Sequence, residues 1–242
     1  MLWIAFAAAA FAADLEQKLT WDVQLDGKPI GYRTLTAKWY FQEDGTERRV
    51  LQVWTELDAS ILGLEYQFRE RLTANIGNDV AAFHAVSDLS GDITEVQARK
   101  SGGEWILSSG YDGSSATKEW PASAIDLSTA DLIDPGSRFP LSHYDVVRVL
   151  SAETGDIWQG PVNPLGTSTI SVAGDPVPVT GYEWSPEDGE ARFWYSADGY
   201  LVRYEITVLG KELVGTLTEP PPLGTDEAPV NPAGNTLQEI SL

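Results

Sequence analysis

Histidine is the side chain best suited to acid–base chemistry near neutrality, and this chain has two, His84 and His143. His84 lies in Phe83-His84-Ala85, within a strand pattern, and reads as a sheet residue rather than a ligand. His143 stands beside Ser142, Tyr144 and Asp145, and a serine, a histidine and an aspartate that converge can cleave esters and peptides. Neighbours along an extended chain point to opposite sides, so adjacency does not assemble that triad, and no Gly-x-Ser-x-Gly elbow accompanies it. The catalytic group in surplus is carboxylate, with 36 Asp and Glu. Two of them facing across a groove could hydrolyse a glycoside, with Trp158, Trp184 and Trp194 as possible stacking platforms, but no spacing selects a pair. Metal chemistry lacks its patterns, since there is no His-x-x-x-His pair, no calcium loop and no cysteine. Ser101-Gly102-Gly103 lacks the Lys and the following helix of a phosphate loop. The sequence therefore points to no catalytic residue, no metal ligand and no cofactor.

The elements that would position any site are strands. Leu62, Leu64, Tyr66 and Phe68 point one way while Gly63, Glu65, Gln67 and Arg69 point the other. The same period of two returns at Leu19, Trp21, Val23 and Leu25, at Leu51, Val53, Thr55 and Leu57, and at Tyr200, Val202, Tyr204 and Ile206. Five Asp-Gly pairs, beginning at Asp26, Asp44, Asp112, Asp188 and Asp198, supply hairpin turns between runs rich in β-branched and aromatic residues. The pattern predicts strands over 17–26, 29–41, 47–59, 61–74, 79–87, 92–100, 103–109 and 115–120. A second series falls at 144–151, 156–159, 167–173, 177–184, 190–196, 200–209 and 212–217. The expected fold is all-β, a single antiparallel meander curled into an open half barrel. Between the two series, Pro121 to His143 carries no strand pattern and holds one short candidate helix at 128–133, where Ser128 and Asp131 resemble a capping box and Pro135 ends the run. This segment is expected to cover the sheet.

Composition narrows the setting. Met1 to Ala12 is apolar throughout, too short to span a bilayer, and ends in Ala10-Phe11-Ala12, so residues 1–12 read as a signal peptide cleaved before Ala13. A periplasmic or secreted location follows from that reading. A formal charge of −20 disfavours nucleic acids and anionic membrane surfaces as partners. Without disulfides, nine Trp, nine Tyr and seven Phe must supply the core. Residues 13–218 are expected to form one β domain, followed by a proline-rich acidic tail over 219–242, extended or disordered.

Two hairpins carry a resemblance. Trp21-Asp22-Val23-Gln24-Leu25-Asp26-Gly27-Lys28-Pro29-Ile30-Gly31-Tyr32 opens the domain, and Phe193-Trp194-Tyr195-Ser196-Ala197-Asp198-Gly199-Tyr200-Leu201-Val202-Arg203 lies near its end. Together they resemble bacterial exported families described only as domains of unknown function, in which such an opening hairpin pairs with such a closing one. The resemblance implies a broad antiparallel sheet curled into an open barrel, similar to periplasmic lipoprotein carriers, with one concave apolar face. It brings no catalytic residues.

The expected role is therefore non-enzymatic, the binding or carrying of an apolar, lipid-like molecule on the concave face. Trp21, Leu62, Leu64, Tyr66, Phe68, Tyr195 and Tyr204 are the expected lining. The alternatives are a structural or protein-interaction module of the cell envelope with a protein partner, and a carboxylate-based glycan hydrolase.

Overall fold

Strict alternation over long runs gives long strands, and the computed structural model of the chain describes residues 15–222 apart from 42–45, 62, 78–80, 112–113, 188 and 209. The first series comprises β1 (Leu15–Leu25), β2 (Lys28–Phe41), β3 (Glu47–Ile61), β4 (Leu64–Ile76), β5 (Ala81–Leu89), β6 (Asp92–Ser101), β7 (Glu104–Tyr111) and β8 (Ser114–Pro121). After the intervening segment come β9 (Leu127–Ser128), α1 (Thr129–Ile133), β10 (Val146–Leu150), β11 (Ile157–Val172), β12 (Asp175–Trp184), β13 (Ala191–Ser196), β14 (Leu201–Val208) and β15 (Lys211–Leu217). All fifteen strands join one sheet in the order β8-β7-β6-β5-β4-β3-β2-β1-β15-β14-β13-β12-β11-β10-β9. It is curled and barrel-like but not closed into a barrel.

Neighbours in sequence are neighbours in space, with one long closure: β1 pairs with β15, Trp21 opposite Leu217. The first and last strands thus meet in the middle of the sheet, leaving β8 and β9 at its edges. β15 also stands between the opening hairpin and the β13–β14 hairpin, which therefore do not pair directly. The sheet is mixed rather than wholly antiparallel, because β9 runs parallel to β10. The two strands expected at 156–159 and 167–173 are one, β11, which continues through Pro161 and Pro164 and shifts register between Pro164 and Gly166.

Inward side chains stack in registered rows. Leu19, Leu35, Val53, Leu72, Ala85 and Val96 face one another across β1 to β6, and all are buried. The segment after β8 lies across these rows and completes the core with Ile125, Leu132, Ile133, Leu141 and Leu150. At the start of its helix, the Ser128 backbone N–H donates to the Asp131 carboxylate at 2.7 Å, as the capping pattern requires, and the Ser128 hydroxyl donates to the same oxygen at 2.7 Å. Three contacts spread over the sheet fix the segment. Asp134, with no exposed side-chain surface, accepts from Arg49 of β3 at 3.1 Å, and Tyr195 of β13 donates to the Leu132 carbonyl at 3.0 Å. At Gly155 the chain runs so close to β6 and β7 that a Cβ there would lie 3.5 Å from Leu107 and 3.6 Å from Val96. Burial pushes the Asp134 carboxyl above the usual range despite Arg49.

Candidate ligand site

The inward row next to these apolar ones changes character. Trp21, Arg33, Thr55, Glu70, Ser87 and Thr94 follow one another in register across β1 to β6. Arg33 donates from Nε to Thr55 Oγ1 at 3.0 Å and from Nη2 to Glu70 Oε2 at 3.2 Å, while the Thr55 hydroxyl donates to the same Glu70 oxygen at 2.9 Å. The Arg33 guanidinium also lies 5.6 Å from the centre of the Tyr204 ring, a cation–π contact. Tyr204 can lie there because its cross-strand partner is Gly215, where a Cβ would come within 2.2 Å of the ring. Glu153, between β10 and β11 and held by a 3.0 Å hydrogen bond from Ser151, brings a second carboxylate to the group. Burial, then repulsion from Glu153, pushes Glu70 up to about 7 against the pull of Arg33 and Thr55. Arg33 moves upward too, since Tyr204, Glu70 and Glu153 together outweigh its burial.

Beside this polar row opens a cavity of about 700 Å³. Leu132 and Ile133 of α1 roof it, Ala191, Phe193 and Ile206 of β13 and β14 form one wall, and Trp158 and Trp184, their rings 6.4 Å apart, form another. Arg33 and Glu153 reach its inner end, and Glu187 and Glu190 stand in the β12–β13 turn that borders it. Such a volume accommodates a small molecule with an apolar body, and the few charged groups can orient it.

The residues singled out from sequence fall into two groups. Trp21, Tyr195 and Tyr204 are buried in packing, with Trp21 Nε1 donating to the Leu201 carbonyl at 3.0 Å and Tyr195 tied to Leu132. Leu64, Tyr66 and Phe68 share the inward side of β4 but lie past Glu70, near the tip of the β3–β4 hairpin, where Leu64 is 61% exposed and the other two are half-buried. Leu62 lies outside the described residues. None of the described members lines the cavity. The groups are nonetheless linked: Phe193, Tyr204, Gly215, Val23, Gly31, Leu57 and Phe68 form one registered row, so the hairpin extends the inward surface that begins at the cavity wall.

The residues missed are Arg33, Glu153, Phe193, Ile206 and the α1 pair. One sequence signal was present: Thr55, Glu70 and Ser87 break the apolar alternation on the inward side of three successive strands. The histidines take no part. His84 points outward and meets Glu95 at 2.9 Å, and His143 closes an exposed turn after Pro140. The Glu70–Glu153 pair does not resemble an open hydrolytic pair, because Glu70 is 2% exposed and absent from the cavity wall. Among the described residues no group of three or more His, Cys, Asp and Glu could hold a metal ion, and no helix is long and apolar enough to cross a membrane.

The family profile of DUF6134, a domain of unknown function, matches residues 21–218. Among solved structures, a β-barrel-like protein of the DUF1849 domain of unknown function from Brucella abortus is similar at 10% identity and TM-score 0.55, over 85% of this chain and 97% of that one. That likeness shows the barrel-like fold. A Bacteroides fragilis protein described as exported, with a YmcC-like fold, matches at 12% identity and TM-score 0.38, over 84% of this chain and 94% of its own. No curated protein matches.

Proposed function

Since the chain belongs to the DUF6134 family, whose role is unknown, we propose from its own geometry that it is an exported, non-catalytic protein that binds an apolar molecule in the cavity under α1. The observation that carries this reading is an apolar chamber of about 700 Å³ left beside an otherwise close-packed core. The chamber opens to solvent past Trp158, Glu187 and Glu190, so a small molecule can reach the apolar walls formed by Phe193, Ile206 and Trp184. Export rests on the apolar leader Met1 to Ala12, which lies outside the described residues.

Native mass spectrometry of the full chain purified from its own host tests the reading, together with saturable uptake of the apolar fluorophore N-phenyl-1-naphthylamine. A co-purifying small molecule, lost in an Ala191→Phe variant that fills the chamber, supports it. No bound mass and no saturable uptake would remove it.

The envelope-module alternative has one supporting observation. β8 forms a sheet edge and its eight residues are exposed throughout, a strand to which another chain could add. A Thr117→Pro variant that abolished capture of an envelope protein while leaving fluorophore uptake intact would favour that role.

A further inference from the structure

The charges around the chamber specify more than its apolar walls do. Arg33 is the one cation among the described lining residues; it is engaged by Thr55, Glu70 and the Tyr204 ring, and it attracts Glu153 without an ion-pair contact. The acids are less well matched. Glu153, Glu187 and Glu190 all line the chamber, and among the described residues no ion pair reaches Glu153 or Glu187. Glu190 pairs with Arg192, but that single guanidinium also serves Glu183 and Glu205. The lining therefore offers carboxylate that its own cations do not neutralise. An anionic head placed here would meet like charge from Glu153, which is partly buried, and from Glu187 and Glu190 at the exposed mouth, where salt screens the repulsion in part.

We propose that the ligand is an amphipath with a positively charged head, its tail against Trp158, Trp184 and Phe193 and its head drawn to Glu153 and the acidic turn at Glu187 and Glu190. This rests on the cavity-binding reading and adds the sign of the head group. Fatty acids and other anionic amphipaths are the class it excludes.

The test is displacement of N-phenyl-1-naphthylamine from the full chain by three twelve-carbon detergents below their micellar concentrations: dodecyltrimethylammonium, dodecyl maltoside and dodecyl sulfate. Circular dichroism at each point confirms that the fold persists. Dodecyltrimethylammonium should compete at about tenfold lower concentration than dodecyl sulfate, a difference of roughly 1.4 kcal/mol, with the maltoside between them. Glu153→Gln should shrink that gap severalfold, whereas Glu119→Gln on exposed β8 should leave it unchanged, which separates the site from the general attraction of an acidic protein. Equal or stronger competition by dodecyl sulfate, or an equal response of the two variants, would overturn the head-group assignment while leaving cavity binding standing. Failure of the fluorophore and all three detergents to enter would instead remove the cavity reading itself.

Discussion

The inward face of the sheet has a filled end and an open end, and they differ in what lies over the same kind of strand. At the filled end, Leu35, Val53, Leu72, Ala85 and Val96 are covered by the segment from Ile125 to Gly155 and are almost wholly out of water. At the open end two of the same strands, β4 and β5, carry Leu64 and Leu89, with exposures of 61% and 47%. Both ends have inward positions of apolar type, so the alternation that builds a strand does not by itself bury its apolar side. Burial depends on the cover, and the cover stops at the polar row of Arg33, Thr55 and Glu70. The chamber lies beside that boundary.

The largest effect should come from releasing the cover. Asp134 is completely buried on Arg49, so Asp134→Ala leaves a largely buried guanidinium with only Glu47 and loosens the segment from β3. Losing one partner of a buried pair costs about 3–5 kcal/mol, and a loss of that size in urea unfolding is expected, together with loss of fluorophore uptake because α1 roofs the chamber. A change below about 1 kcal/mol would show that the filled end does not depend on the cover in this way.

Glu70 tests the boundary between the ends. Its pKa of about 7 in the folded protein exceeds the ordinary carboxylate value of 4.5, so between those pH values the native protein holds a proton that the unfolded chain has released. Stability is therefore uncompromised below about 4.5, falls as pH rises to about 7, and is level above that. The shift corresponds to about 3 kcal/mol across the window. Glu70→Gln should remove this downward slope, and urea midpoints of both proteins from pH 4.5 to 8 would show it. Parallel curves for the two proteins would contradict a buried, proton-holding Glu70.

The contrast also explains which parts could be read from the chain alone. Strands such as β4 announce themselves, because Tyr66, Phe68 and Leu72 alternate with Gln67, Arg69 and Arg71 and the alternation is local. The turn of α1 is equally local, fixed by Ser128 and Asp131 three residues apart. β11 was harder, since Gly160, Pro161, Pro164 and Gly166 interrupt the pattern in a strand that nevertheless continues along β12. The parallel step from β9 to β10 rests on two residues at each side and leaves no periodic trace. The chamber was not legible, because Phe193 and Leu132 meet only after the cover folds back over β13. The period of two gave Trp21, Tyr204 and Phe68 a common facing, but it carries no information on which inward residue becomes core, wall or exposed lip.

Gly215 probes the packing that holds Arg33 at the boundary. Alanine there would push its Cβ into the Tyr204 ring, against which Arg33 rests. Overpacking of this kind costs about 1–3 kcal/mol. Gly215→Ala should therefore lower the unfolding midpoint and, by moving Tyr204 and Arg33, weaken fluorophore uptake as well. The double variant Gly215→Ala with Tyr204→Leu should recover part of the stability, since the ring that clashes is gone.

The smallest effect is expected at the lip. Leu64 is the most exposed of the large apolar side chains described, and it faces inward at the tip of the β3–β4 hairpin, past the reach of the cover. If the open end serves the fold, removing its apolar surface should cost stability as it does elsewhere. If it serves access to the chamber along the row shared by Phe193, Leu57 and Phe68, stability should hardly change. Its exposure favours the small change in stability, because a side chain already in water loses little on becoming polar, and the entry rate then tests access. Leu64→Ser should shift the unfolding free energy by less than about 0.5 kcal/mol while slowing the entry of N-phenyl-1-naphthylamine in stopped-flow mixing. A stability loss near that of a buried leucine, with entry unchanged, would place this residue with the core rather than with the lip.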